Sequence, residues 1–164
     1  GWGVAADFVK ARVSVEKAAL KGFAQSQTLM AVLYLQGKGV AQSDELALDY
    51  YRKAAAQNDS QAKAGLGFLH LYGRGVAKDE KAAKVFFEEA FRKGAPAGAL
   101  GLGSVYRDGL GTPKNPVQAL AYLQIASRDG WAPAVGARDE LAKQVTEQQT
   151  REARTIAEAL ASKK

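Results

Sequence analysis

The feature that most constrains the fold of this chain is an interval of 36 residues at which the same residue types return. Pairs of glycines separated by one residue recur at this interval, together with an alanine column and an aromatic column. The recurring positions are Gly37, Gly73 and Gly109; Gly39, Gly75 and Gly111; Ala54, Ala90 and Ala126; and Tyr50, Phe86 and Tyr122. A fixed interval of this length indicates a repeat array, in which each unit buries its apolar face against its neighbours.

Each unit has the punctuation of two helices joined by a glycine-containing turn. One column offers side chains that cap a helix N-terminus, and another offers residues that tolerate the left-handed backbone just after a helix. The capping column contains Asp7, Ser43, Asp79 and Asn115, and the terminating column contains Gly22, Asn58, Gly94 and Gly130. Small and large apolar residues alternate at positions where packed helices face each other. These patterns predict an all-α solenoid of helix–turn–helix repeats of 36 residues.

The columns place the whole chain in one solenoid domain. The expected segments are the second half of a truncated repeat at 1–22, repeats at 23–58, 59–94 and 95–130, and a carboxyl-terminal capping helical hairpin at 131–164. The first residues coincide with the turn of a repeat, so we expect a fragment of a longer protein that keeps the natural carboxyl end of the array. Thr146 and Gln149 have the spacing of a capping box for the last helix.

The residue inventory excludes several kinds of site. The 164 residues include no cysteine, which excludes disulfides and thiolate metal sites. His70, the only histidine, occupies the column of Tyr34 and Tyr106, which favours a packing role over that of a general base. The glycine pairs lack the Lys-Ser/Thr ending of a phosphate loop, and no apolar run is long enough for a membrane span. We therefore expect no enzyme, no metal and no cofactor.

The recurring unit, Ala-x-x-x-Leu-Gly-x-x-Tyr-x-x-Gly-x-Gly-Val-x-x-Asp-x-x-x-Ala-x-x-Tyr/Phe, resembles the Sel1-like repeat, a longer relative of the tetratricopeptide repeat. The second unit carries it best, at Ala62, Leu66, Gly67, Gly73, Gly75, Val76, Asp79, Ala83 and Phe86. Ala31, His70 and Thr112 depart from the family pattern, which affects local packing. The resemblance covers nearly the whole chain. It implies a right-handed superhelix that acts as a scaffold or adaptor for a partner protein or peptide, in a bacterial periplasm or cell envelope.

By the same resemblance, the first helix of each unit lines the inner face of the array, where a binding groove is expected. The inward columns are unusually apolar, which leaves two interpretations open: a ligand groove, or a face covered by neighbouring helices. The candidate groove residues are Leu29, Val32, Leu35, Phe68, Leu71, Tyr72, Leu100 and Arg107. An amphipathic helix or an extended peptide is the expected ligand, with Phe68 and Tyr72 as anchors and Arg107 as a charge at the rim.

A second hypothesis uses the charge of the chain. Lys and Arg number 23 against 17 Asp and Glu, and the net charge of +6 favours anionic partners. Lys38, Arg74 and Lys114 lie in or beside the glycine turns and would form a basic edge for an anionic polymer, a polysaccharide before nucleic acid. Such binding depends steeply on salt, whereas groove binding persists in salt. A third hypothesis, the least favoured, is an envelope hydrolase that works through His70.

Overall fold

The computed structural model describes residues 12–128 and 131–162, and within these ranges the regular elements are helices. Helix α1 comprises residues 12–20 of the described part. The following helices are α2 (Ala24–Gln36), α3 (Asp44–Ala56), α4 (Ser60–Tyr72), α5 (Glu80–Arg92), α6 (Pro96–Asp108), α7 (Pro116–Arg128), α8 (Ala132–Ala142) and α9 (Glu147–Ala161). First helices begin at residues 24, 60 and 96 and second helices at 44, 80 and 116, so each start recurs after 36 residues. The predicted all-α solenoid is confirmed.

Local backbone requirements explain where these helices begin and end. Each of the second helices α3, α5 and α7 is preceded by a residue whose side-chain oxygen accepts a hydrogen bond from the backbone N–H three residues later. The pairs are Ser43 with Leu46 at 3.2 Å, Asp79 with Ala82 at 2.9 Å, and Asn115 with Gln118 at 2.9 Å. After the second helices, Gly22, Asn58 and Gly94 take positive φ values of 93°, 64° and 81°, as predicted for the terminating column. Asp7 and Gly130 of these two columns lie outside the described residues.

The two glycines of each turn have different functions. Gly73 ends α4 in the left-handed region, with φ at 67°, and its N–H donates to the carbonyl of Leu69. Gly75 has φ at 65°, and a Cβ there would overlap the backbone carbonyl of Asp44, at the start of α3 in the preceding repeat. The second glycine therefore allows the turn of one repeat to pack closely against the second helix of the repeat before it.

The core is built from large side chains that lie across the boundary between repeats. Phe87 of α5 is fully buried. A Cβ at Gly67 on α4 or at Gly101 on α6 would overlap the Phe87 ring. Tyr51 of α3 lies against Gly65 of α4 in the same manner. The glycines thus leave space for an aromatic ring that joins one repeat to the next.

A row of stacked rings joins the two helices within each repeat. The ring centroids are 5.7 Å apart for Tyr34 and Tyr50, 5.3 Å for His70 and Phe86, and 5.8 Å for Tyr106 and Tyr122. His70 therefore takes the place of a tyrosine in this row. Its position supports the packing role predicted from its column.

The last two described helices differ from the repeats. Helix α9 begins at a capping box in which the Gln149 N–H donates to Thr146 Oγ1 at 3.2 Å and the Thr146 N–H donates to Gln149 Oε1 at 2.9 Å. The predicted capping box is therefore confirmed. Ala153 and Ala157 are buried where α9 packs on α7, and the residues around them are exposed. That this hairpin caps the array stays a prediction.

Candidate functional site

An apolar groove of about 650 Å³ crosses the first helices of successive repeats. Positions that recur at the repeat interval line it together, for example 25, 61 and 97, or 32 and 68. The lining residues are Gln25, Thr28, Leu29, Val32, Gln36, Tyr51, Asp59, Ser60, Gln61, Ala64, Gly65, Phe68, Ala97 and Trp131. Because the same face of each first helix contributes, the groove is a direct product of the repeat.

Aromatic rings and aliphatic side chains form most of the groove surface. Phe68 is half-buried, and its ring packs edge to face on that of Phe87, with centroids 4.8 Å apart. Gly65 carries no side chain, so the ring of Tyr51 is part of the lining beside it. Leu29 lies on α2 with 44% of its surface exposed. These groups offer apolar surface that a partner could remove from water.

The structure brings part of the predicted groove set together. Leu29, Val32 and Phe68 all line the groove. Tyr72 is 64% exposed, and its ring stacks on that of Phe68 with centroids 6.5 Å apart. Tyr72 therefore extends the apolar surface beyond the groove lining. Arg107 lies near Tyr72, at the outer end of this extension.

The remaining predicted positions have different surroundings. Leu71 is only 2% exposed and lies in the core formed with α5 and α6, so the expectation that it lines an open groove is wrong. Position 71 lies at the edge of the helical face that turns towards this core. Leu35 and Leu100 are half-buried against core residues and do not line the groove. Arg107 forms an ion pair with Asp108 at 2.7 Å outside the lining.

The sequence analysis missed three residues of the lining. Tyr51 belongs to a second helix, whereas the inward columns were drawn from first helices only. Asp59 and Trp131 occupy N-cap positions of first helices. The available signal was their spacing, since they stand two repeat intervals apart and immediately before α4 and α8.

Asp59 is the one charged side chain that the structure describes in the lining. Its Oδ1 accepts a hydrogen bond from the Ala62 N–H at 2.7 Å, which caps α4. The same oxygen accepts from the Thr28 hydroxyl at 3.1 Å, which joins α4 to α2. The second carboxylate oxygen, Oδ2, makes no hydrogen bond to a described residue.

Tyr51 places a neutral hydroxyl in the lining. Burial, the largest cause, raises the pKa of Tyr51 to about 12; the Asp59 carboxylate adds to this rise, and Arg74 opposes it. The hydroxyl makes no hydrogen bond to a described residue. At neutral pH it is therefore an uncharged donor and acceptor available to a ligand.

We expect the free energy of unfolding to fall as the pH rises from about 10 towards about 12. Unfolded tyrosines ionise near pH 10, whereas burial raises the pKa of Tyr51 and Tyr122 to about 12 in the folded chain. This difference contributes stability that is complete below the unfolded pKa and is lost as the pH rises through the folded pKa. Urea unfolding across this range measures the slope. Tyr51→Phe keeps the ring against Gly65 and should show a shallower fall, and an unchanged slope would contradict the assignment.

The predicted basic edge carries less free positive charge than its sequence indicates. Arg74 Nε and Nη2 donate to the two carboxylate oxygens of Asp44 at 3.0 and 2.5 Å. This pair raises the pKa of Arg74 and links the turn of one repeat to the second helix of the preceding repeat. Lys38 and Lys114 are exposed and form no ion pair with a described residue.

Other kinds of chemistry find little support in the described part of the chain. It contains no group of three His, Cys, Asp or Glu side chains that could hold a metal ion. None of its helices has the length and apolar character needed to cross a membrane. Nδ1 of His70, the base of the hydrolase hypothesis, is buried and has no hydrogen-bond partner in these ranges.

Comparison with known families agrees with this architecture. The sequence model of the Sel1 repeat matches residues 24–59, 60–94 and 96–131, which is more than half of the chain. The chain belongs to the Sel1-repeat family. Each Sel1 unit begins one residue later than the corresponding repeat predicted from the columns, and the units hold the helix pairs α2–α3, α4–α5 and α6–α7. The groove therefore lies across the first helices of three Sel1 units and ends at Trp131.

Two solved structures are similar to this Sel1-repeat chain. A protective antigen present in uropathogenic Escherichia coli strains, which displays an SLR fold, matches with a TM-score of 0.79 and 29% identity over 93% of this chain and 33% of the antigen. A Sel1 repeat protein from Oxalobacter formigenes matches with a TM-score of 0.65 and 31% identity over 77% of this chain and 50% of that protein. The chain thus spans a third of the first protein and half of the second. No curated protein matches the chain.

Proposed function

We propose that this chain is a protein-interaction module that binds a segment of a partner protein in the groove across α2, α4 and α6. Sel1-repeat proteins generally serve as protein-interaction scaffolds, and their fold is a non-catalytic interaction fold. The observation that carries the proposal is the apolar lining that three repeats share, with a volume of about 650 Å³. Pockets that hold ligands have volumes of this order.

The physical basis of the proposed binding is the burial of apolar surface on a rigid support. Each Å² of apolar surface removed from water stabilises a complex by about 25 cal/mol before the costs of association. Buried rings such as Phe87 fix the spacing of the helices that line the groove. The groove therefore needs little reordering when a partner binds, which reduces the entropic cost of association.

We extend the proposal to a bacterial assembly, with the cell envelope as its site. Its support is the origin of the two similar proteins, both bacterial, and the description of one of them as a protective antigen. The proposal concerns the array described above. The activity of a longer protein that contains it belongs to the same proposal.

Replacing an exposed groove leucine tests the proposed binding. Peptides selected from a random library on the immobilised chain should bind roughly tenfold more weakly to Leu29→Ser, because the variant removes most of one apolar contact. Leu46→Ser is a matched control, since Leu29 and Leu46 are each 44% exposed and Leu46 lies on α3 outside the lining. Fluorescence polarisation with the selected peptides gives the affinities.

Two results would contradict the groove. Equal affinities for the two serine variants would place the binding surface elsewhere, and so would a selection that enriches no peptide sensitive to Leu29→Ser. Measurement in low and high salt separates the basic edge from the groove, because binding through Lys38 and Lys114 would weaken steeply with added salt.

A further inference from the structure

The groove carries a charge opposite in sign to that of the whole chain. The chain has a net charge of +6, yet its described groove lining contains no lysine or arginine and one carboxylate, Asp59. An anionic group placed there would gain no counter-ion from the lining, whereas a cationic group would gain one. The excess of basic residues elsewhere therefore does not describe the binding surface.

The Asp59 carboxylate is fixed in position while one of its oxygens stays available. Oδ1 accepts from the Ala62 N–H at 2.7 Å and from the Thr28 hydroxyl at 3.1 Å, so it bridges α4 and α2. The cap also occupies a backbone donor that would otherwise attract an anion to the start of α4. Oδ2 makes no hydrogen bond to a described residue, and the lining holds the unbonded hydroxyl of Tyr51 as well.

The nearest cation is already neutralised. Arg74 lies close enough to Tyr51 to influence its hydroxyl. Both carboxylate oxygens of Asp44 accept from Arg74, at 3.0 and 2.5 Å. The Arg74–Asp44 pair therefore adds no net charge near Tyr51, and the uncompensated charge at this end of the groove is that of Asp59.

We propose that the occupant of the groove is a partner segment in which a lysine or arginine is flanked by apolar side chains. The cationic group pairs with Asp59 Oδ2, and the apolar side chains cover Leu29 and Phe68. Asp59 is half-buried, so the pair forms where water is partly excluded and where a charge-assisted hydrogen bond is stronger than on an open surface. This inference rests on the proposed function, because it names the class of peptide that the groove binds.

A random-peptide library selected on the immobilised chain tests the chemistry of the occupant. We expect enriched sequences to contain one lysine or arginine with leucine, isoleucine, methionine or phenylalanine within a few positions on each side. Enrichment of aspartate or glutamate, or of apolar peptides without a charge, would overturn the inference.

Asp59→Asn separates the charge from the structure of the site. Asparagine also caps helices, so the variant should keep the start of α4 while losing the negative charge. Peptides with a central lysine should bind about three- to tenfold more weakly to Asp59→Asn, and the same peptides with glutamine in place of lysine should bind both chains equally. Asp79→Asn is the matched control, because Asp79 caps α5 in the same way and lies outside the lining.

The two proposals fail in different ways. If Leu29→Ser weakens binding and Asp59→Asn does not, the groove is the binding surface and the cationic partner is wrong. If neither variant changes the affinity of a selected peptide, the groove itself is not the binding surface. Thermal unfolding of Asp59→Asn close to that of the parent chain shows that the cap has been retained.

Discussion

Phe87→Ala is expected to lower the free energy of unfolding by about 4 kcal/mol, the largest loss that we expect from a single substitution in this chain. Phe87 is fully buried and heads the buried side chains by volume among the described residues. Its ring lies against Gly67 of α4 and Gly101 of α6, and it supports Phe68 in the groove. Urea unfolding followed by circular dichroism measures the loss.

The cavity left by Phe87→Ala cannot be refilled by its neighbours. Gly67 and Gly101 have no side chains that could rotate into the space, so the lost contacts are recovered only if α4, α5 and α6 move together. Such movement would disturb packing along the array, because each repeat is stabilised mainly by its interfaces with adjacent repeats. The expected loss is therefore near the upper end of the usual range for a buried phenylalanine.

Phe86→Ala is the control for Phe87→Ala. Phe86 precedes Phe87 on the same helix and is half-buried, and its ring stacks on His70 within one repeat. It does not lie between glycines of two repeats, so we expect a loss of about 1–2 kcal/mol. Similar losses for the two alanine variants would contradict the view that a ring across the repeat boundary is the main link between repeats.

The positions of the helix ends could be predicted because they depend on local backbone chemistry. Asn58, for example, was assigned to the terminating column from its residue type and spacing, and it has a φ of 64°. Ser43 was assigned as a cap in the same way, and its hydroxyl accepts from the Leu46 N–H. Such choices are made within a few residues and are therefore visible in the sequence.

The groove could be predicted only in part, because its edges depend on how successive repeats are rotated against one another. Phe68 and Leu71 lie on neighbouring parts of α4, yet Phe68 lines the groove and Leu71 enters the core. The residue types do not separate these two positions. The sign of the groove charge was hidden for a related reason, since Arg74 pairs with Asp44, 30 residues away, and Asp59 was read only as part of a loop between helices.

Gly98→Ala is expected to lower the free energy of unfolding by about 2 kcal/mol, although alanine is the better helix former. Gly98 lies in the first turn of α6 and faces the backbone of α5. A Cβ at this position would come within 2.5 Å of the Phe91 nitrogen and 2.8 Å of the Phe87 carbonyl oxygen. Backbone atoms cannot rotate away as the end of a side chain can, so α6 would have to move away from α5.

Gly136→Ala provides the opposite case with the same chemical change. Gly136 lies within α8, and a Cβ there would meet nothing within 4 Å. Alanine should therefore raise the free energy of unfolding by about 0.5–1 kcal/mol, because it restricts the unfolded chain without causing a clash. Urea unfolding of the two variants tests both signs. A gain of stability in both would show that α5 and α6 are not in close backbone contact, since helix propensity alone favours alanine at either position.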